Sequence, residues 1–433
     1  MDKFKGRVII TYGRSVMALT AAHSLRMKNI EVIGCDDLNW TILSFSKYSS
    51  QYFVHPPHDD LETFLDFMEE KIIELKPEED IPYVLMPIHR LTPIFAEHRE
   101  RFERHIKVAV PTWDAMQAVH PKDNFALTAK KAGIHIPETL LLPEPGTLTK
   151  QADKIEYPAL IKPVDATGGR GIAKVDNPED LLEKAEEIEE EHEVKPLVQE
   201  LVTGEDYCYA GIFDRGKLVT GMAYTNVYKF PEGAGAGVFR ETVDDTPFRS
   251  EAEKLMKRLK WHGIAEIDFM WDGSLSSTPY MIEVNARFWG GLFQSVESGV
   301  DFPWLLYRLT AEGKLTEAPE PIIGTRTKIP FLWLTSALKN FEWDRDEIQE
   351  TLSKAEAESK EKNTFAKIGS YMSQFAGSLK IAKNIGELRA LLDSGAQAKS
   401  EPFYEDDPMA VLGMAFVLHS LLVNGELPPE IKF

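Results

Sequence analysis

The sequence predicts a multidomain protein of mixed α/β and α+β class. Its 433 residues, 43% of them apolar, are enough for about three domains at roughly 150 residues each. Residues 1–115 alternate strand-like and helix-like segments, residues 197–230 place three strands in succession, and the pattern after residue 325 is helical. These changes along the chain predict that domains of different architecture follow one another.

The N-terminal 115 residues have the pattern of a Rossmann-like domain. Helical stretches such as 15–28 and 59–75 separate five β-rich runs, "RVIITYG", "IEVIGCDD", "QYFVHPP", "YVLMP" and "IKVAVP". This alternation predicts βαβ crossovers and a parallel sheet. The first turn, "TYGRSVMA", has one glycine where a dinucleotide fingerprint requires GxGxxG, which argues against a nicotinamide or flavin enzyme. Ligands of such sheets bind at strand ends, where Arg14, Asp37, His89 and Arg90 are expected.

A lysine and a glycine-rich loop follow the next predicted helix. That helix covers "KDNFALTAKKAGI" and ends at Gly133, and the strand "YPALIKP" then places Lys162 at its end. The loop "VDATGGRG" has backbone amides that can approach a phosphate closely. The lysine precedes the glycines, so this is not a Walker A loop. A hairpin with a flexible tip and an exposed lysine explains the stretch equally well.

The segment "LVQELVTGEDY" is a weak candidate for nucleotide contacts. Main-chain groups of Glu200 and Val202 could bond an adenine edge, and Asp206 could reach a ribose, although acid-rich turns are common without a ligand. Further along, the glycine-rich stretch "FPEGAGAGVF" predicts a mobile flap, flanked by Lys229 and Arg240, which could meet an anionic substrate.

The stretch "EIDFMWDGSLSSTPYMIEVNARF" predicts a β-hairpin with a polar face. A register that pairs Trp271 with Tyr280 also places Asp268 opposite Glu283. Like charges in opposite positions destabilise a sheet unless a cation lies between them, and acid and amide oxygens suit Mg²⁺. Successive side chains alternate between faces, so Glu283, Asn285 and Arg287 share one face. The alternative is an edge strand with a solvated polar face and a salt bridge from Arg287.

Composition excludes several classes of function. The net charge of −20 argues against a nucleic-acid partner, which would require clustered Lys and Arg. Cys35 and Cys208 are too few for a disulfide framework and lack metal-site spacing, which indicates reducing cytoplasm. The apolar stretch 409–423 is shorter than a membrane span and predicts a packed C-terminal helix, so no membrane association is expected.

Taken together and in this order, these motifs resemble the ATP-grasp superfamily, in particular the carboxylate-amine ligases similar to one half of the carbamoyl-phosphate synthase large subunit. The resemblance covers residues 1 to about 325. It implies a pre-ATP-grasp domain at 1–115, a small or lid subdomain with its linker helix at 116–198, and a large subdomain with the Mg²⁺ site at 199–325. Residues 326–433 are expected to form a mainly helical extension that caps the site or forms a dimer interface.

The resemblance also implies roles for individual residues. Two departures from the family's pattern are Pro121, where many relatives have an acid, and Glu266, where several have a basic residue. Arg287 and Lys162 match the catalytic positions, Arg287 on the substrate side. The metal ligands fall on Asp268, Glu283 and Asn285; the nucleotide contacts fall on Lys122, Lys162, Gly168, Gly169, Gly171, Gln199, Glu200, Leu201, Val202 and Asp206.

The activity that the resemblance implies is an ATP-dependent ligase joining a carboxylate to an amine, or to a thiol, through an acyl-phosphate. Its cofactors would be ATP and two Mg²⁺ ions, for which Mn²⁺ could substitute, and its partners small-molecule carboxylates and amines, with a homodimer as a further expectation. Two alternatives stay open: an acyl-phosphate or carboxyphosphate passed to an acceptor other than an amine, and a regulatory protein that binds ATP without hydrolysing it.

Overall fold

The described residues form three β-sheets of five, seven and four strands. The computed structural model describes residues 3–141, 152–153, 155–164, 171–192, 194–230, 235–274, 276–315, 318–329, 395–401 and 404–414. Within these residues, no helix combines the length and the apolar character that crossing a bilayer requires.

The five-stranded sheet lies in the N-terminal 115 residues and is parallel, as the alternation predicts. Its strands are β1 (Arg7–Ile10), β2 (Glu31–Asp36), β3 (Gln51–Val54), β4 (Tyr83–Met86) and β5 (Lys107–Val108), in the order β3-β2-β1-β4-β5. Every residue of β2 and β4 is buried, because helices cover both faces of the sheet. The direction of strand addition changes between β1 and β4, where ligands of open α/β sheets bind.

Side-chain caps define where the first helices begin. Ser15 accepts a hydrogen bond from the backbone N–H of Ala18, and Asp60 accepts one from Thr63. The helices of this region are α1 (Val16–Met27), α2 (Ile42–Phe45), α3 (Leu61–Glu74), α4 (Leu91–Glu97), α5 (Arg99–Phe102) and α6 (Trp113–Gln117).

The four-stranded sheet is antiparallel and its strands lie between residues 139 and 200. It contains β6 (Thr139–Leu141), β7 (Ala159–Pro163), β8 (Ala173–Val175) and β9 (Pro196–Glu200), in the order β6-β9-β7-β8. Helix α7 (Lys122–Ala132) precedes the sheet and ends at Gly133 with φ 65°, as predicted. Helix α8 (Pro178–His192) packs Leu181, Ala185 and Ile188 against this sheet.

The seven-stranded sheet takes five strands from residues 205–285 and two short strands from the C-terminal region. Its order is β14-β13-β10-β11-β12-β15-β16, antiparallel except for the parallel pair β15 and β16. The strands are β10 (Glu205–Asp214), β11 (Lys217–Phe230), β12 (Ala236–Val243), β13 (Gly263–Trp271), β14 (Tyr280–Asn285), β15 (Arg326–Lys328) and β16 (Lys399–Ser400). The helices are α9 (Thr246–Leu259), α10 (Leu292–Glu297) and α11 (Phe302–Glu312).

Two hairpin connections show where pattern-based prediction succeeds and fails. Arg215 and Gly216 both have positive φ and join β10 to β11, as the "DRGK" turn predicts. The flap predicted at 230–239 is shorter, because residues 236–239 lie in β12 and bury Val238 and Phe239. Residues 231–234 lie outside the described residues.

The hairpin register is correct at the acidic pair and wrong beyond it. Asp268 pairs with Glu283 as predicted, but Tyr280 pairs with Met270 rather than Trp271, because a bulge lies between Asp268 and Phe269. The bulge accompanies an aromatic contact in which the Trp271 ring meets Phe248 edge-on at 5.6 Å.

The described part of the C-terminal extension is not helical over most of its length. Arg326–Lys328 and Lys399–Ser400 are strands, and Pro408–Met414 is a 3₁₀-helix. The free edge of β12 explains the difference, since it pairs with β15, and β15 then pairs with β16. A mainly helical extension stays a prediction for residues 330–394 and 415–433, which lie outside the described residues.

Candidate functional site

Three carboxylates converge on one amide group on the polar face of β13 and β14. The Asn285 Nδ2 atom lies 3.2 Å from Glu266 Oε2, 3.2 Å from Asp268 Oδ2 and 3.5 Å from Glu283 Oε1. The register explains this, since Glu266 pairs with Asn285 and Asp268 with Glu283. Rotating the amide by half a turn would present its oxygen to the same carboxylates.

The electrostatics of this face favour a bound cation. Burial, together with repulsion from Glu266 and Glu283, holds the pKa of Asp268 well above its usual range. Burial also raises the pKa of Glu266. The pKa of Glu283 is lowered, because Lys122 and the hydrogen bond with Asp268 outweigh the effect of burial. Oxygen donors that repel one another at this spacing fit Mg²⁺, which would supply the missing positive charge.

Sequence reasoning missed two residues beside the carboxylates. Cys208, which pairs in register with Asp268, donates its thiol hydrogen to Asp268 Oδ1 over 3.2 Å. The Tyr224 hydroxyl donates to Glu266 Oε1 over 2.6 Å. Ligand atoms of Cys208, Glu266 and Asp268 all lie within 4.8 Å of one another. Only the pairing of β10 with β13 and β11 would have indicated them, because no local motif marks either position.

Lys162 lies at the end of β7, as predicted, but it is buried rather than on an exposed hairpin tip. Lys162 is only 4% exposed, and its Nζ donates a hydrogen bond to Gln199 Oε1 over 2.7 Å. Gln199 is itself held by a hydrogen bond from Nε2 to Thr139 Oγ1. Burial lowers the pKa of Lys162 to about 8. The amine is thus fixed in place by two strands of the small sheet.

The glycine loop and the second lysine are only partly described. Gly171 has φ 68°, whereas Gly168 and Gly169 lie outside the described residues. Lys122 begins helix α7, and its Nζ lies 3.9 Å from Glu283 Oε2. The charges of Lys162 and Arg287 also act on Glu283 and, with Lys122, favour its ionised form.

The segment predicted to contact adenine continues from β9 into a cavity. The Glu200 N–H donates to the Glu138 carbonyl over 2.8 Å, so sheet pairing occupies it. Leu201 and Val202 follow outside the sheet and line a cavity of about 320 Å³ with Met270. Asp206 forms an ion pair with Lys229 across the large sheet.

Two strained residues mark the end of the parallel sheet. Tyr12 and His89 follow β1 and β4 with φ 58° and 55°, and their ring centroids are 4.9 Å apart. Non-glycine residues in this conformation cost about 1–3 kcal/mol each and cluster at binding sites. Arg14 lies over the Tyr12 ring. Its Nε donates a hydrogen bond to Asp36 Oδ1 over 3.0 Å, so the carboxylate of Asp36 compensates the charge of the guanidinium. Arg14 also pairs with Asp37, whereas Arg90 is exposed.

The two arginines near the large sheet differ in environment. Arg287 is half-buried and donates from Nη1 to the Phe288 carbonyl over 3.2 Å. Phe288 and Trp289, which follow Arg287, pack in the same core as Tyr12. Arg240, expected beside an exposed flap, is instead buried and paired with Glu401 at 2.5 Å.

Comparison with protein families finds a match over the region that contains most of these residues. Residues 122–291 match the family model described as an ATP-grasp domain. The carbamoyl phosphate synthase large chain of Pyrococcus furiosus is 25% identical over 248 residues, covering 53% of this chain and 22% of that protein. The C-terminal section of the carbamoyl phosphate synthase large chain of Methanopyrus kandleri is 30% identical over 109 residues, covering 24% of this chain and 20% of that protein. The chain therefore spans about a fifth of the length of these relatives.

Solved structures share the fold at low sequence identity. The biotin carboxylase domain of Hydrogenobacter thermophilus 2-oxoglutarate carboxylase, with MgADP and bicarbonate, has a TM-score of 0.59 at 18% identity, covering 75% of this chain and 74% of that one. Staphylococcus aureus N5-carboxyaminoimidazole synthetase with ADP has a TM-score of 0.59 at 15% identity, covering 76% of this chain and 83% of that one. An L-amino acid ligase from Bacillus licheniformis has a TM-score of 0.55 at 15% identity, covering 76% of this chain and 81% of that one.

Proposed function

Because residues 122–291 match the model described as an ATP-grasp domain, we propose that the chain is an ADP-forming ligase that joins a carboxylate to an amine. The acidic face around Asn285 carries the proposal together with Lys122, whose Nζ lies 3.9 Å from Glu283 Oε2. The charges of Lys162 and Arg287 also act on Glu283. Phosphoryl transfer requires positive groups placed around the phosphates, and these side chains supply them.

The reaction would proceed in two displacements. A carboxylate oxygen attacks the γ-phosphorus of ATP, the bond to the bridging oxygen breaks, and ADP leaves. The amine nitrogen then attacks the acyl carbon, the bond to the phosphate oxygen breaks, and the nitrogen gives up a proton. Asp268, Glu283 and Asn285 would hold Mg²⁺, which neutralises phosphate charge when bound.

The chain's own side chains would position the reacting groups. Lys162, fixed by Gln199, and Lys122, at the start of α7, would contact phosphate oxygens. Arg287 would contact the acyl-phosphate. Covalent catalysis by cysteine is disfavoured, because burial raises the pKa of both Cys35 and Cys208 well above the usual range for a thiol.

The substrate carboxylate and amine would bind in the crevice beyond Arg287. Tyr12 and His89 form one wall there, at the switch point of the parallel sheet, and their strained backbone supports a binding role. Closing this crevice against water would protect an acyl-phosphate from hydrolysis.

The proposal is tested by measuring ADP formation with Mg-ATP and pools of amino acids and small carboxylates, each with and without an amine mixture. We expect ADP release that requires one acid pool and an amine. Release that needs no amine would indicate another acceptor, and ATP binding with no release in any pool would support the regulatory alternative.

A pair of variants connects the activity to the polar face. Glu283→Gln should reduce ADP release by at least about 100-fold, since it removes a charged ligand while keeping the shape of the side chain. Glu253→Gln, an exposed acid of α9, is the matched control and should retain full activity. A Glu283→Gln protein with normal turnover would exclude the metal assignment.

A further inference from the structure

The C-terminal residues 395–401 and 404–414, here called the clasp, connect the N-terminal domain to the large sheet. Tyr404 stacks on His23 of α1 with ring centroids 3.9 Å apart. Asp406 accepts hydrogen bonds from Lys47 and Tyr48, and Asp407 accepts one from Ser46. The clasp lies outside the matched residues 122–291, so the family comparison assigns it no role.

One residue of the clasp reaches the polar side of the large sheet. Glu401 extends the pairing of β16, with its N–H donating to the Lys328 carbonyl over 2.8 Å. Its carboxylate accepts hydrogen bonds from Arg240 Nη1 at 2.5 Å and from Thr327 Oγ1 at 3.1 Å. Glu401 is 2% exposed and Arg240 is 4% exposed, so solvent does not screen the pair.

The guanidinium of Arg240 lies close to the residues around the carboxylates. A Cβ atom placed on Gly290 would be 3.7 Å from Arg240 Nη2, and one on Gly291 would be 2.6 Å from the Tyr224 hydroxyl. The glycines allow the loop after Arg287 to approach both side chains. Arg240 interacts electrostatically with Tyr224, Cys208 and Glu266, and Tyr224 bonds Glu266 directly.

We propose that Glu401 is a positioning residue that cancels the charge of Arg240 and thereby sets the affinity of the Glu266, Asp268 and Glu283 cluster for a divalent cation. This inference rests on the proposed function, because it requires that the cluster bind a cation. Glu401 touches neither the cation nor a substrate. Its effect passes through Arg240, whose positive charge would otherwise repel a cation across a poorly screened interior.

The charge argument predicts that the two partners differ in their effects. Glu401→Gln leaves Arg240 unpaired and adds one positive charge, so cation binding should weaken by on the order of tenfold. Arg240→Gln removes the positive charge, and burial then favours the protonated, neutral form of Glu401, so binding should stay close to wild type. The double variant also carries no unbalanced charge and should return close to wild type.

The test is a titration of full-length protein with Mn²⁺, followed by the electron paramagnetic resonance of the free ion, with and without saturating ADP. Glu241→Gln is the matched control, because Glu241 adjoins Arg240 on β12 but bonds Arg326 at 2.8 Å, and it should leave the affinity unchanged. Thermal melts of each variant show which proteins are folded. If Glu401→Gln does not fold, Glu401→Ala, which also leaves the charge of Arg240 unbalanced, carries the same expectation.

Weaker cation binding by Glu401→Gln that the double variant restores would support the proposal, since a loss of packing would not be restored by a second substitution. Wild-type affinity in Glu401→Gln, or a loss that persists in the double variant, would overturn the proposal. In either case, cation binding by the wild-type protein would leave the proposed function intact. A wild-type protein that binds neither Mn²⁺ nor ADP would overturn the proposed function and this inference with it.

Discussion

At the scale of single residues, the position of Lys162 in the chain fold could be predicted from the sequence, whereas its buried environment could not. The strand "YPALIKP" and the glycines after it predict a lysine at a strand end. Its burial follows from contacts between β7 and β9, which are distant in sequence, and Lys162 bonds Gln199 across that pair. The lysine was therefore predictable, whereas its lowered pKa was not.

The low pKa of Lys162 predicts proton uptake when nucleotide binds. Its pKa is lowered to about 8, so near pH 8.5 most of these amines are neutral, and negatively charged phosphates would raise the pKa again. Uptake should therefore be more than about half a proton at pH 8.5 and fall towards zero at pH 6.5.

Calorimetry of Mg-ADP binding in two buffers of different ionisation enthalpy measures this uptake. Lys162→Arg is the control, because guanidinium stays charged throughout the range and should bind without uptake. Tight binding by the wild-type protein at pH 8.5 with no net proton change would contradict the assignment of Lys162 to the phosphates.

At the scale of elements, local patterns predict the helices and turns better than the pairing of strands. Gly133 and the Arg215-Gly216 turn lie where their backbone preferences indicate. The bulge after Asp268 was not predictable, because no local pattern in the two strands marks it. Cys208 and Tyr224 were missed because only the register between strands distant in sequence brings them to the carboxylates.

Helix α9 ends with an unfavourable residue that can be improved. Lys260 adopts φ 50° and ψ 38°, a left-handed conformation that glycine accepts without steric cost. Lys260→Gly should raise the free energy of unfolding by about 0.5–1 kcal/mol, measured by urea denaturation. Lys257→Gly, an exposed position inside the same helix, should lower it by about 1 kcal/mol. A destabilised Lys260→Gly protein would show that the lysine side chain outweighs the backbone strain.

At the scale of the whole molecule, the clasp is the feature furthest from sequence prediction. The parallel N-terminal sheet follows from a repeated local alternation that any βαβ unit must show. By contrast, β15 and β16 are strands of three and two residues, too short to carry a periodic pattern. Their place in the sheet depends on the edge that β12 provides.

The clasp should contribute measurably to stability through Tyr404. Tyr404→Ala removes the stack on His23 and the edge contact with Tyr48, and we expect a loss of about 2 kcal/mol in the free energy of unfolding. Tyr404→Phe keeps the ring and should lose less than half as much. Chemical denaturation measures both variants, and equal losses would assign the effect to the hydroxyl instead.

The ion pair between Arg240 and Glu401 also has a consequence for the order of folding during synthesis. The two residues are 161 positions apart, so at about 5–20 residues per second Glu401 leaves the ribosome roughly 8–32 s after Arg240. Until then Glu401 is not available to pair with Arg240 when the arginine becomes buried. The side of the large sheet that holds Arg240 is therefore expected to complete its contacts after the N-terminal sheet has formed.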